Sequence, residues 1–210
     1  MTCPSTCCAA ASAEGDRIVY LQPLGDALET SDVELVRKAL VVLYAFDVQL
    51  LPRIPLPKAA WYAPRRRWRA EIILSTLLAA RDQAGRRGFV LGLTSADIST
   101  TKGKVYDWGV LGLGDIGDGQ AGTAGVISSF RCHRKASSDA HARQRLAKVA
   151  AHELGHTLGL PHCPNRGCLM EDAEGQVVTT DREHDLCADC RAKLAAHGRV
   201  LPSVTALPWP

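Results

Sequence analysis

The stretch His152-Glu153-Leu154-Gly155-His156-Thr157-Leu158-Gly159-Leu160-Pro161-His162 decides how the rest of this chain is read. His152 and His156 stand four positions apart, and at about 3.6 residues per turn they stack on one face of a helix and can share a metal ion. Leu146, Ala150, Leu154 and Leu158 fall largely on another face, so the helix can pack on a sheet while presenting its imidazoles. Glu153 lies on the shoulder of the metal face, poorly placed to ligate but able to reach a water there as general base. Gly159 can adopt the left-handed backbone that ends a helix, and Pro161 blocks its resumption, so the chain can turn and bring His162 beneath the ion. Three neutral imidazoles leave a fourth position open, which is the pattern of a catalytic zinc site and not of a closed structural one. By composition the five-residue core arises by chance in roughly one comparable sequence in a hundred. Requiring Gly159 and His162 as well lowers this to on the order of a few in a hundred thousand.

Cys163 follows His162 directly, Cys168 comes next, and Cys187-x-x-Cys190 closes the series. Two separated pairs of this kind fit a tetrahedral zinc site of four thiolates; the alternative is four unligated thiols in a reducing compartment. Asp181 to His197 is expected to be helical up to Gly198, with Cys187 and Cys190 in its first half, where the helix dipole favours thiolates. Neighbouring side chains of an extended segment point opposite ways, so His162 and Cys163 can face different ions. Two Zn2+ per chain are expected, one catalytic and one structural.

Upstream, Arg17 to Leu21 reads as a first strand ending at Pro23. Ser31 and Glu34 form a capping-box signature ahead of Val33, Val36, Leu40 and Leu43 at helical spacing. Val48 to Leu56 reads as a second strand that Pro52 and Pro55 confine to an edge or an irregular path. Arg67 to Ala84 reads as a second helix stopped by Gly85, and Gly88 to Thr94 as a buried strand. Lys104 to Leu113 and Gly125 to Arg131 read as further strands around a glycine-rich loop, followed by a helix from His141 to Gly159. Strands alternating with helices predict an α/β fold with a mixed sheet.

At 210 residues, 46% hydrophobic and 22% charged with a net charge of +3, the chain suits one globular unit with no call for nucleic acid or membrane as partner. No stretch approaches the roughly 20 apolar residues of a membrane span. Residues 1–16 read as a tail that lacks the basic start and apolar core of a secretory signal. A cytoplasmic location is therefore expected, with Cys3, Cys7 and Cys8 as free thiols.

The combined pattern resembles the archaemetzincins, a branch of the metzincin metallopeptidases. The resemblance rests on His152-Glu153-x-x-His156-x-x-Gly159-x-x-His162-Cys163, then Cys168-Leu169-Met170, then Cys187-x-x-Cys190, with weaker support from Ile18 to Gly25 and Val90 to Asp97. The spacing from Met170 to Cys187 is one residue shorter than the family pattern. The resemblance implies a metzincin fold over residues 17–210, with an upper part (17–160) of sheet, backing helix and active-site helix, and a small lower part (161–210) holding the four-cysteine zinc. It makes Met170 the methionine of the turn beneath the catalytic zinc. It also implies that an extended peptide or protein substrate lies along an antiparallel edge strand, here Lys104 to Leu113. The expected activity is hydrolysis of peptide bonds. A non-catalytic peptide-binding module using the same cleft is the rival reading, and a zinc-storage protein a third.

Two patterns are set aside. Gly112-Leu-Gly114-Asp-Ile-Gly117 matches a dinucleotide fingerprint in form but precedes no helix, and reads as a hairpin loop near the cleft. Arg65, Arg66, Arg67 and Arg69 around Trp68 read as the solvated start of a helix and not as a nucleic-acid contact.

Overall fold

Phe89–Thr94 is buried at all six positions, as a strand must be when helices cover both faces of its sheet. The computed structural model describes residues 17–26, 28–116 and 123–209. In chain order its elements are β1 (Ile18–Leu24), α1 (Thr30–Tyr44), β2 (Asp47–Leu50), β3 (Trp61–Tyr62), β4 (Arg67–Arg69), α2 (Ala70–Gln83) and β5 (Phe89–Thr94). There follow β6 (Ile98–Lys102), β7 (Val105–Val110), β8 (Gly112–Gly114), β9 (Ala124–Ser128), α3 (Asp139–Thr157) and α4 (Ala188–Ala196). The expected tail and its three cysteines lie outside the described residues, as does Gly117.

The larger sheet runs β2-β1-β5-β9-β8. Its first four strands are parallel and β8 alone is antiparallel, closing one edge. Side-chain alternation sorts the core into two layers. Val19, Leu21, Phe89, Leu91 and Ile127 pack with Leu40 and Leu43 of α1 and with Leu146, Ala150 and Leu154 of α3. Tyr20, Leu24, Val90 and Val126 face Ile73 and Leu77 of α2. Gly92 lets α2 seat closely, because a Cβ there would lie 2.8 Å from both Leu24 Cδ1 and Leu77 Cδ1. A second sheet, β3-β4-β6-β7, flanks the first. The α/β class with mixed sheets is as the sequence implied, and no helix among the described residues is long and apolar enough to cross a membrane.

Several boundaries differ from expectation, each for a tertiary reason. Arg67–Arg69 is a strand and not a solvated helix start. Arg67 donates to Asp97 at 2.9 Å and Asp107 at 2.8 Å, and buried Arg69 pairs with Glu71. Lys104 to Leu113 is not one strand, because the chain leaves the second sheet after Val110 and joins the first at Gly112. The strand expected over Val48 to Leu56 stops at Leu50. Helix α1 starts at Thr30 with no side-chain cap, and Glu34 pairs with Arg37 at 3.1 Å in place of a capping box. The last helix begins at Ala188, since Asp181 and Asp185 are held by Arg145 and Arg191.

Candidate metal centres

Helix α3 carries the first cluster and is fixed at both ends. Ser138 Oγ caps its start, accepting from His141 N–H at 3.1 Å. Arg145 is 1% exposed, a position a charge tolerates only when fully bonded. Its Nε and Nη2 each donate to Asp181 at 2.7 Å, and Nη1 donates to the Cys132 and Arg134 carbonyls. Those bonds hold the Asp181 carboxyl down at about 2. At the other end Gly159 takes φ +91° and Leu160 N–H bonds back to Gly155 O at 2.9 Å, the closing bond of a left-handed helix stop.

That stop delivers His162 to the pair on α3. The ring centroids of His152, His156 and His162 lie 4.6 to 5.4 Å apart, and one nitrogen from each falls within 4.8 Å of the others. Backbone carbonyls set the tautomers: His152 Nδ1–H donates to Leu169 O at 2.6 Å and His156 Nδ1–H to Leu160 O at 2.7 Å. His162 Nδ1 lies 3.6 Å from Asp172 Oδ2, a longer reach to a carboxylate. The Nε2 lone pairs of His152 and His156 are thereby turned inward, and His156 Nε2 and His162 Nε2 face each other at 3.3 Å. Three imidazole nitrogens converging this closely form a donor set that fits a divalent metal. Burial and mutual repulsion push His152 down to about 3, and burial with the nearby His162 pushes His156 down to about 4, keeping both neutral as ligands must be.

Glu153 stands beside this cluster, buried against the edge strand β8. A Cβ on Gly112 would lie 2.5 Å from Glu153 Oε1, and one on Gly114 2.7 Å from the Glu153 carbonyl oxygen. Only glycine at both positions admits the carboxyl between strand and helix. Burial pushes Glu153 up to about 8, opposed by a hydrogen bond from the Gly114 backbone. Opposite charge from a cation on the three imidazoles favours its ionised form.

The four cysteines form the second cluster. Cys163 Sγ lies 3.6 Å from Cys187 Sγ, and Cys168 Sγ 3.7 Å from Cys190 Sγ. Disulfide sulfurs stand about 2.05 Å apart. A tetrahedron with bonds of about 2.3 Å has edges of about 3.8 Å, which these separations match. The Cys190 thiol and the N–H groups of Cys187 and Met170 pull Cys168 down to about 5. The hydrogen bond between the two thiols, with burial, raises Cys190 in turn, so a cation is needed before all four can ionise. Cys187 is the N-cap of α4 and not a residue of its first turns; Cys190 lies inside the helix.

Cys168-Leu169-Met170 joins the two clusters. Cys168 belongs to the thiol group and the Leu169 carbonyl orients His152. Met170 is fully buried against α3, where a Cβ on Gly155 would collide with its sulfur. A cavity of about 300 Å³ opens before the histidines, walled by Trp108 and Val110 of β7, by β8, and by Asp172, Thr180 and Glu183 opposite.

A family model described as peptidase family M54 matches residues 36–196. The chain belongs to peptidase family M54. The archaemetzincin of Archaeoglobus fulgidus is 30% identical over 176 residues, covering 84% of this chain and 98% of that protein. The archaemetzincin of Haloquadratum walsbyi is 29% identical, covering 84% and 99%. The crystal structure of the Archaeoglobus fulgidus archaemetzincin complexed with malonate superposes with a TM-score of 0.68 over 84% of this chain and 99% of that one. That of Methanopyrus kandleri archaemetzincin gives 0.68 at 27% identity, over 87% and 96%. As an M54 member the chain is a zinc metallopeptidase, the enzyme class that the sequence implied.

All seven expected ligands are brought together in two groups, with Glu153, Gly159 and Met170 around the first. Sequence reasoning missed Gly112 and Gly114, taken for a hairpin loop. Their signal was a Gly-x-Gly alternation, which clears one face of a strand for close approach. Asp172 carried no signal, since a lone carboxylate after Met170 has no spacing rule.

Proposed function

We propose that this M54 peptidase hydrolyses peptide bonds at a zinc held by His152, His156 and His162, with Glu153 as general base. When bound, the metal supplies Lewis acidity, bringing the pKa of a water towards about 7 and polarising a carbonyl. Glu153 takes the proton of the attacking water and passes one to the leaving amine. The free edge of β8 gives an extended peptide or protein substrate main-chain partners; this narrows the expected Lys104–Leu113 strand to Gly112–Gly114. A second zinc on Cys163, Cys168, Cys187 and Cys190 does no chemistry and contributes folding free energy. The reading places the protein in the metzincin clan, with Met170 as the turn methionine and the cleft between an upper part (17–160) and a lower part (161–210). A reducing compartment such as the cytoplasm suits the four thiolates.

The observation that carries the proposal is the convergence of three imidazoles beside a carboxyl that two glycines admit. A cleft that merely grips peptides has no need of Glu153 there. The test is cleavage of a peptide library by zinc-loaded protein and its Glu153→Gln variant. Turnover should fall by about 10² to 10⁴ while metal content and melting temperature hold. A variant as active as the parent would end the general-base assignment.

A further inference from the structure

Glu183 is 1% exposed and lines the active-site cavity beside Val149 and Thr180. Its Oε2 has no hydrogen-bond partner. Burying such a group without a partner is costly, the more so when it is charged, unless something joins it. The bases whose fields reach it are engaged elsewhere. Lys148 Nζ donates to Thr180 O at 2.9 Å and lies over the Trp209 ring, while Arg182 pairs with Glu171. Asp172 and Glu174 line the same cavity and add acidity, and Lys102 is the single lysine or arginine among the described lining residues. Apolar lining at Val149 and Leu111 together with a carboxyl suits a long aliphatic stem that ends in a cation.

We propose that Glu183 is a specificity-determining residue: it receives the ammonium or guanidinium of a substrate lysine or arginine that enters the cavity next to the scissile bond. The proposal rests on the peptidase reading for the meaning of that position, but not for the selection of a cation. Burial pushes the Glu183 carboxyl up to about 8, and an arriving cation offsets that penalty. Glu183 stands outside both ligand clusters, so its task is separate from metal binding.

The test uses zinc-loaded full-length protein and acetylated hexapeptides in which one lysine is moved through an alanine–leucine background, each paired with a norleucine counterpart. Binding is measured on Glu153→Gln protein and cleavage on the parent. At one position lysine should bind and be cleaved at least tenfold better than norleucine. Adding Glu183→Gln should bring the pair within twofold, with Glu183→Asp keeping part of the preference. Because lysine against norleucine is compared on unaltered Glu183 first, a misfolded variant leaves the proposal exposed to failure. Equal behaviour of the two peptides, no binding of either, or a lysine preference that survives Glu183→Gln overturns it. A lysine preference in binding without any cleavage by the parent sinks the peptidase reading and leaves cation selection by Glu183 standing.

Discussion

The two ligand clusters meet at His162 and Cys163, one residue apart, yet they are built by opposite means. Two of the three imidazoles are mounted on the end of a 19-residue helix and the third just beyond its stop, and they open to a cavity, with the His162 side chain 49% exposed. The thiols are mounted on loops and a short helix, and three of the four are buried. A helix clamped by Ser138, Arg145 and a left-handed stop can hold ligands ready whether or not metal is present. The loops over 163–187 are tied to α3 at Asp181 and to α4 at Asp185, but their four sulfurs crowd together and need a cation before all can ionise. On the proposed reading, the first cluster stands where a substrate can reach a metal and the second where a metal would complete the fold.

The sharpest break would come from His162→Ala, which should abolish turnover while the melting temperature moves by only a few degrees; a calorimetric scan beside an activity assay checks both. Cys190→Ser should do the reverse first. It should cost several kcal/mol, roughly 10 °C or more in melting temperature, with one zinc lost per chain. If neither thermal stability nor metal content changed, the four-cysteine site would carry no structural role.

Gly112→Ala probes the contact between edge strand and base. The added methyl displaces Glu153, and kcat should fall by about 10² with zinc content intact, since a shift near 1 Å costs that much. The smallest effect concerns the clamp on α3. Asp181 titrates near 2 when folded, because Arg145 holds its charged form, against about 3.9 unfolded. Its contribution is therefore full above about pH 4 and is lost as pH falls through about 2. Asp181 is 35% exposed, so screening limits this to about 1 kcal/mol. The gap in unfolding free energy between the parent and Asp181→Asn should shrink by that amount between pH 4 and 2; a constant gap would remove Asp181 from the clamp.

What was legible in the sequence follows from how local each signal is. His152, His156, Gly159 and His162 obey helix geometry and one turn, so spacing alone brings them together. The four cysteines were legible by chemistry, although the route of residues 169–186 between them was not. The break at Leu111 escaped because nothing local distinguishes a strand that changes sheets from one that continues. Arg67 and Arg69 misled because their partners stand far off in sequence, Asp97 and Asp107 for Arg67 and Thr101 for Arg69. Gly112 and Gly114 had their signal, but its meaning depends on Glu153 lying opposite, and Glu183 had none at all.

Graded chelation of zinc-loaded protein, with metal content, peptide cleavage and unfolding followed in one titration, tests the division of labour most directly. The account predicts two zinc ions per chain that leave in two steps. The first removes all activity with the fold intact, and the second unfolds the region around residues 163–190. Loss of both ions in one step together with the fold, or activity that survives the first loss, would contradict it.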